Sequence, residues 1–357
     1  MNCCINCFID SSLKKIIKSN SQFIGDCDFC SSTSTDVINC EQLSSFFESL
    51  FDLYTPHSSV IASLKIDSSL LMYEHINTYW PYLFNHEMLD SKMIKFLVNS
   101  IAKGIDDYDE IIFSNPVELK RILSEGLDTE NLELQWDSFA NEIKYNNRFF
   151  LNEKLDTDLL QSVFERLGKT YTVNEEFFRA RISDELLPID KLGKPEAHLA
   201  TGGRANPVGI PYLYLSNDLK TTLYETRISL HETISVGKFI AIENINLISL
   251  TNVSKFGPFE IQDKGFSVEE FIGYRPYLQK LELELSKPVR KQDVHLDYLP
   301  TQFLCEFLKS LGFDAVEYKS AMNPDGSNLA LFTDTKVKCV ESKLYRINSL
   351  KYTWDEL

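Results

Sequence analysis

Two clusters of side chains in this sequence have the types and spacing to do chemistry. In the first, Gly202, Gly203 and Arg204 precede Asn206-Pro207-Val208-Gly209, the run Tyr212-Leu213-Tyr214-Leu215 and a segment that reaches Glu225. Paired glycines let backbone amides approach a ligand closely, and the planar fork of an arginine in such a loop can grip a phosphate or pyrophosphate. Asn206–Gly209 reads as a β-turn and Tyr212–Leu215 as a short strand, while Ser216-Asn217-Asp218 offers N-caps for a helix carrying Leu219, Leu223 and Glu225. A cation suited to anions and a carboxylate thus share one supersecondary unit. Taken singly, Arg204 reads as a loop ion pair, Tyr214 as core and Glu225 as a solvated acid; it is their order that points to a site.

The second cluster is a set of thiols. Cys3, Cys4, Cys7, Cys27, Cys30 and Cys40 crowd the first 40 residues, and only Cys305 and Cys339 come later. Cys4-x2-Cys7 and Cys27-x2-Cys30 form two knuckles at the spacing of a four-thiolate zinc site, each supplying two sulfurs from one tight turn. Spacing favours Cys4 over Cys3 as the ligand. With no histidine nearby, the expected ion, Zn2+, is closed and structural.

These groups need elements to hold them. After Cys40, apolar residues recur at helical steps: Leu43, Phe46, Phe47, Leu50, Phe51 and Tyr54 on one helix, then Met93, Phe96, Leu97 and Ile101, then Leu119, Ile122 and Leu123. The pattern continues from Trp136 through Phe139 and Ile143 to Phe149 and Phe150, and again over Leu159–Leu167, with these aromatic stripes expected in a core. Gly168 stops the last helix, and Phe177–Ile182 reads as a strand carrying Arg179. Three parts follow: a zinc module over 1–40, a helical domain over 41–168 and an α+β domain over 169–357. Segment 252–290 reads as a helix interrupted near Pro276, either a flap over a site or a dimer element.

A chain of 357 residues with 43% hydrophobic content is globular and long enough for several domains. It has no apolar run of membrane-spanning length, and MNCCINCFID lacks the character of a signal peptide, so no membrane association and a cytoplasmic location are expected. A net charge of −16 argues against nonspecific nucleic-acid binding and leaves any anionic ligand to local cations.

The run from Gly202 through Tyr214 to Glu225, the segment LDYLPTQFLCEFLK around Gln302, and GFDAVEYKSAMNPDGSNLALF over 312–332 together resemble the RES domain, named for an Arg, a Glu and a Ser. The resemblance spans about residues 170 to 345 and implies an ADP-ribosyltransferase-like fold that degrades NAD+, often as the toxin of a toxin–antitoxin pair. It would supply Ser320 as the serine.

Breaking the nicotinamide–ribose bond of NAD+ builds oxocarbenium-like charge on the sugar, which a fixed carboxylate stabilises. Glu225 suits that role, Arg204 the pyrophosphate and Tyr214 the cationic nicotinamide ring. Ser320 would bond ribose or orient the glutamate. Arg179, Arg227, Gln302 and Asn328 are further candidates for the substrate.

The N-terminal region resembles a HEPN helical domain. The ribonuclease motif of some HEPN domains, Arg followed four to six residues later by His, is absent, since His57, His75 and His86 all precede Arg121, Arg148 and Arg166. That domain reads as a regulatory or assembly scaffold. The resemblance implies an NAD+ glycohydrolase or phosphorylase that depletes cellular NAD+, with an antitoxin, a regulatory protein or a second copy as partner. An ADP-ribosyltransferase acting on a macromolecule and a non-catalytic ligand-sensing module are the alternatives.

Overall fold

The computed structural model describes residues 1–21, 23–56, 70–106, 108–119, 129–288 and 294–349. The stripe at Ile122 and Leu123, with Arg121 and His57, lies outside them. The fold is α+β, and the chain divides into two compact units, Met1–Thr129 with Ser254–Arg275, and Glu130–Val253 with Pro276–Leu357.

In the first unit, strands β1 (Asn2–Cys4), β2 (Phe23–Gly25) and β3 (Thr35–Asn39) form an antiparallel sheet in the order β1-β3-β2. Asp10 accepts from the amides of Ser12 and Leu13 at 2.9 Å each and so caps helix Ser11–Asn20. Its other oxygen accepts from Phe259 in helix Pro258–Asp263, at 3.2 Å. Phe8, Phe47 and Phe84 are fully buried, and Phe259 packs on Phe47 with ring centroids 4.9 Å apart.

The helix expected to reach Tyr54 covers Ser44–Phe51. Tyr54 instead opens strand β4 (Tyr54–Pro56), which pairs antiparallel with β5 (Val117–Leu119), so cross-strand hydrogen bonds replace the last helical turn. Helix Ser91–Ala102 buries Leu97 and Ile101.

In the second unit, Trp136 and Phe139 are buried, as their spacing predicts. Phe149 and Phe150 are not core: they are 90% and 89% exposed. A π-helical turn at Glu142–Asn146 shifts the helical register, and the chain turns extended at Asn147, so the stripe stops at Ile143.

Helix Thr157–Leu167 leads into a large sheet of β6 (Gly168–Tyr171), β7 (Glu176–Ile182), β8 (Leu213–Ser216), β9 (Thr233–Ala241), β10 (Ile245–Leu250), β11 (Ala315–Lys319), β12 (Ser327–Leu331) and β13 (Val337–Arg346). The order is β13-β9-β7-β8-β12-β11-β10-β6, antiparallel except between β10 and β11. Alternation sends Leu213, Leu215, Leu247, Ala315 and Leu329 into a core on one face.

In the chain between β10 and β11, helix Val268–Ser286 runs continuously through Pro276. A proline there removes one hydrogen bond and crowds the preceding turn, at a cost of about 3 kcal/mol. Burial of Phe271 before it and of Leu278, Leu281 and Leu285 after it offsets that cost. One of the three boundaries between the two units falls at this proline.

Candidate functional site

The turn after the glycine loop closes from Ile210 N–H to the Pro207 carbonyl at 3.2 Å, one residue later than the sequence suggests. Within the loop, a Cβ on Gly203 would stand 2.6 Å from Asn206 Oδ1 and 2.7 Å from the Tyr214 hydroxyl, so no side chain is tolerated there. The Tyr214 hydroxyl donates to Asn206 Oδ1 at 2.7 Å and accepts from the Ala205 amide at 3.0 Å, pinning the loop to β8. Gln302 donates to the carbonyls of Gly203 and Asn206 at 2.8 and 3.1 Å, and Thr301 to that of Arg204 at 2.7 Å. The loop is therefore rigid from both sides.

Asp218 caps helix Leu219–Glu225 through the Thr221 amide at 2.8 Å, and the helix delivers Glu225 at its last position. Strands β7 and β8 pair at Phe178 and Ser216 alone, and where they part a cleft of about 290 Å³ opens. Arg179, Tyr214, Glu225 and Asn328 line it, together with Ser216 and Tyr318. Phe178, Ser216, Asn328 and Tyr318 are register partners in turn, forming one row across four strands.

Glu225 is held asymmetrically. Ser320 donates to its Oε1 at 2.6 Å and Asn328 Nδ2 to the same atom at 2.7 Å, while Oε2 makes no hydrogen bond among the described residues. The Ser320 oxygen accepts from the amides of Met322 and Asn323 at 3.1 and 3.0 Å, which fills both lone pairs and leaves its proton for Glu225. The Ser216 hydroxyl donates to Asn328 Oδ1 at 2.8 Å, which sets the orientation of the Asn328 amide. Asn323 ties the serine loop to the glutamate helix through Thr221 Oγ1 at 2.8 Å, and a Cβ on Gly326 would run into that same oxygen.

Arg179 enters the cleft from β7 and donates to the Tyr214 carbonyl at 3.1 Å, while its Nε is buried without a partner. Burial, and the neighbouring Arg181, push Arg179 down to about 10, so it stays cationic at neutral pH. Arg204 does not line the cleft. Its guanidinium meets the Glu284 carbonyl at 3.4 Å and the Tyr298 ring at 5.3 Å, and the Glu284 carboxylate is taken by Lys287 at 2.7 Å. Neither arginine pairs with a described carboxylate. Arg227 follows the glutamate helix in a left-handed conformation, φ 50°, exposed and outside the cleft lining.

Sequence reading missed Ser216 and Tyr318. Ser216 ends β8 and Tyr318 stands next to last on β11, and only the row shared with Asn328 marks them.

In the first unit, the sulfurs of Cys4, Cys7, Cys27 and Cys30 all lie within 4.8 Å of one another, with Cys4–Cys30 and Cys7–Cys27 at 3.4 Å, and all four residues are buried. A tetrahedral ion about 2.3 Å from each sulfur spaces them roughly 3.8 Å apart, so the set fits a metal ion. The neighbouring Cys4 and Cys7 thiols hold the Cys27 thiol well below its ordinary value, and Cys27 in turn pushes Cys7 up. Alternation on β1 turns Cys3 the other way, where the neighbouring Cys40 and burial push its free thiol well above the ordinary value.

A family model described as RES domain matches residues 177–355, half of the chain, and one described as HEPN/RES N-terminal domain 1 matches residues 20–157. No curated protein matches the sequence. Among solved structures, a chain of the M. tuberculosis MbcT–MbcA toxin–antitoxin complex is similar, at 14% identity and a TM-score of 0.32, over 52% of this chain and 91% of that one.

Proposed function

Because this chain belongs to the RES domain family, we propose that it consumes NAD+ by cleaving the bond between nicotinamide and ribose. The observation that carries this reading is the carboxylate of Glu225, clamped on one oxygen by Ser320 and Asn328 and open on the other toward a cleft. Such a preorganised charge stabilises positive charge that develops in the transition state without having to reorganise.

As the C1′–N bond breaks, its electron pair leaves with the nicotinamide nitrogen and neutralises the pyridinium. Charge builds at C1′, next to Glu225 Oε2. An oxygen nucleophile, water or phosphate, forms the new bond to C1′ and releases its proton, which Glu225 can accept when water attacks. The Tyr214 ring supports the cationic nicotinamide, and Arg179 faces the pyrophosphate. Arg204 supports the same phosphates from the glycine loop by leaving the C-terminal end of helix Val268–Ser286. Gln302 acts through that loop, not on substrate.

An enzyme that spends the cell's NAD+ is toxic when unrestrained, so an antitoxin or regulatory protein is the partner this reading calls for. Zn2+ on Cys4, Cys7, Cys27 and Cys30 has a structural role, since four thiolates close its coordination.

The test is nicotinamide release from NAD+ by purified protein, with and without phosphate. Wild type should release it, Glu225→Gln should do so at least about 100-fold more slowly, and dependence on phosphate identifies the acceptor. Equal rates in the two proteins would remove Glu225 from the mechanism.

A further inference from the structure

The hydroxyl groups around the cleft are nearly all committed to protein partners. Ser216 donates to Asn328, Thr222 to the Asp218 carbonyl at 2.9 Å and Thr226 to the Leu223 carbonyl at 2.7 Å. Tyr214 donates to Asn206 and Ser320 to Glu225. Tyr318 differs. It lies in the middle of the sheet on β11, opposite Asn328, and is only 6% exposed, yet its hydroxyl has no partner among the described residues and it lines the cleft. Unlike the hydroxyls of Tyr54 and Tyr212, which are fully buried without a partner, that of Tyr318 is open to the cleft, where a ligand atom can reach it.

Resting on the NAD+ reading of this cleft, we propose that Tyr318 is a substrate-binding residue whose hydroxyl hydrogen-bonds a hydroxyl of the nicotinamide ribose. Its position fits that part of the substrate. It pairs in register with Asn328, which holds Glu225 Oε1, and the same row runs through Ser216 to Phe178 beside Arg179, so it shares the cleft with the carboxylate assigned to C1′ and the cation assigned to the phosphates. Burial, the largest influence, pushes the phenol well above its ordinary value, so it stays neutral and can both donate and accept, as a ribose hydroxyl requires. A phosphate oxygen would instead seek Arg179, whose buried Nε is unpartnered.

The experiment compares wild type with Tyr318→Phe, which deletes one oxygen and keeps the packed ring. Nicotinamide release is measured with NAD+ and with analogues lacking the 2′- or the 3′-hydroxyl of the nicotinamide ribose. In the variant, kcat/KM for NAD+ should fall by up to about tenfold. Wild type should lose a similar factor on one of the two analogues, and the variant should lose nothing more on that analogue, the non-additivity of two groups sharing one bond. Wild-type kinetics in Tyr318→Phe, or losses that simply multiply on both analogues, overturn the assignment and leave the NAD+ reading standing. If folded wild type releases no nicotinamide, the NAD+ reading fails, and titration with ADP-ribose decides the contact. Weaker binding by Tyr318→Phe than by wild type then supports it, and equal binding, or none by wild type, overturns it.

Discussion

Glu225 has one oxygen held and one free, and this asymmetry places separate demands on its neighbours. Ser320 and Asn328 act on the same atom, so removing either leaves the other to hold the carboxylate. Ser320→Ala and Asn328→Ala should each lower kcat by about tenfold with little change in KM, and the double variant, with neither donor left on the carboxylate, should fall by more than the product. Full activity in the double variant would show that the clamp is irrelevant to turnover. Arg179 makes a different demand, because burial has already desolvated its charge before any ligand arrives. Arg179→Gln should raise KM for NAD+ by about 10- to 100-fold, the range of a lost charge-assisted hydrogen bond, and kcat should change less. Saturation kinetics across these variants separates positioning from binding.

At the scale of elements, two of the strands that carry the cleft, β11 and β12, are tied to β10 and β6 by a buried acid on the opposite face. Glu317 on β11 accepts from Lys169 at 2.9 Å and Tyr171 at 2.6 Å on β6, from Ser249 at 2.7 Å on β10 and from Ser327 at 2.9 Å on β12. Burial raises the carboxyl, but Lys169 and the hydrogen bonds from Tyr171 and Ser249 outweigh it and hold the group below its ordinary value. A carboxylate held low only in the folded chain adds stability above its unfolded pKa, about 4.3, and that stability is lost as pH falls through the folded value. Thermal melts from pH 7 down to pH 3 should therefore show a steep acid loss in wild type and a flatter one in Glu317→Gln, which starts about 3 kcal/mol less stable. A parallel pH dependence in the two proteins would show that Glu317 titrates alike folded and unfolded.

For the molecule as a whole, the first unit is discontinuous in sequence. Asp10 caps one helix near the N-terminus and meets the start of another at Phe259, and Phe47 packs on that same residue. A fragment ending at residue 168 lacks this second helix, and should melt less cooperatively than the first unit does within the full chain, as read by calorimetry. Asp10→Ala should cost about 2 kcal/mol, one cap at each helix. The thiol cluster bears on the same unit: stripping metal with a strong chelator, or Cys27→Ser, should lower the melting temperature while the turnover of still-folded protein stays Glu225-dependent. Metal analysis that finds no ion bound in wild type would remove the zinc assignment.

Local rules make much of this protein legible in its sequence. The Asp218 cap, the strand carrying Tyr214, the helix ending at Glu225 and the two cysteine knuckles depend on neighbours within a few residues, where backbone preferences and ligand spacing act directly. The motifs around Arg204, Gln302 and Ser320 likewise stand in the order of a RES domain. What the tertiary structure alone decided concerns closure over long distances. Ser320 and Asn328 converge on one oxygen of Glu225 across the fold, Arg179 enters the cleft while Arg204 sits beside it, and Phe149 and Phe150 leave the core after a π turn. Which lone pair each hydroxyl fills, and hence which hydroxyl remains free for a ligand, follows from strand register between segments that sequence periodicity cannot align.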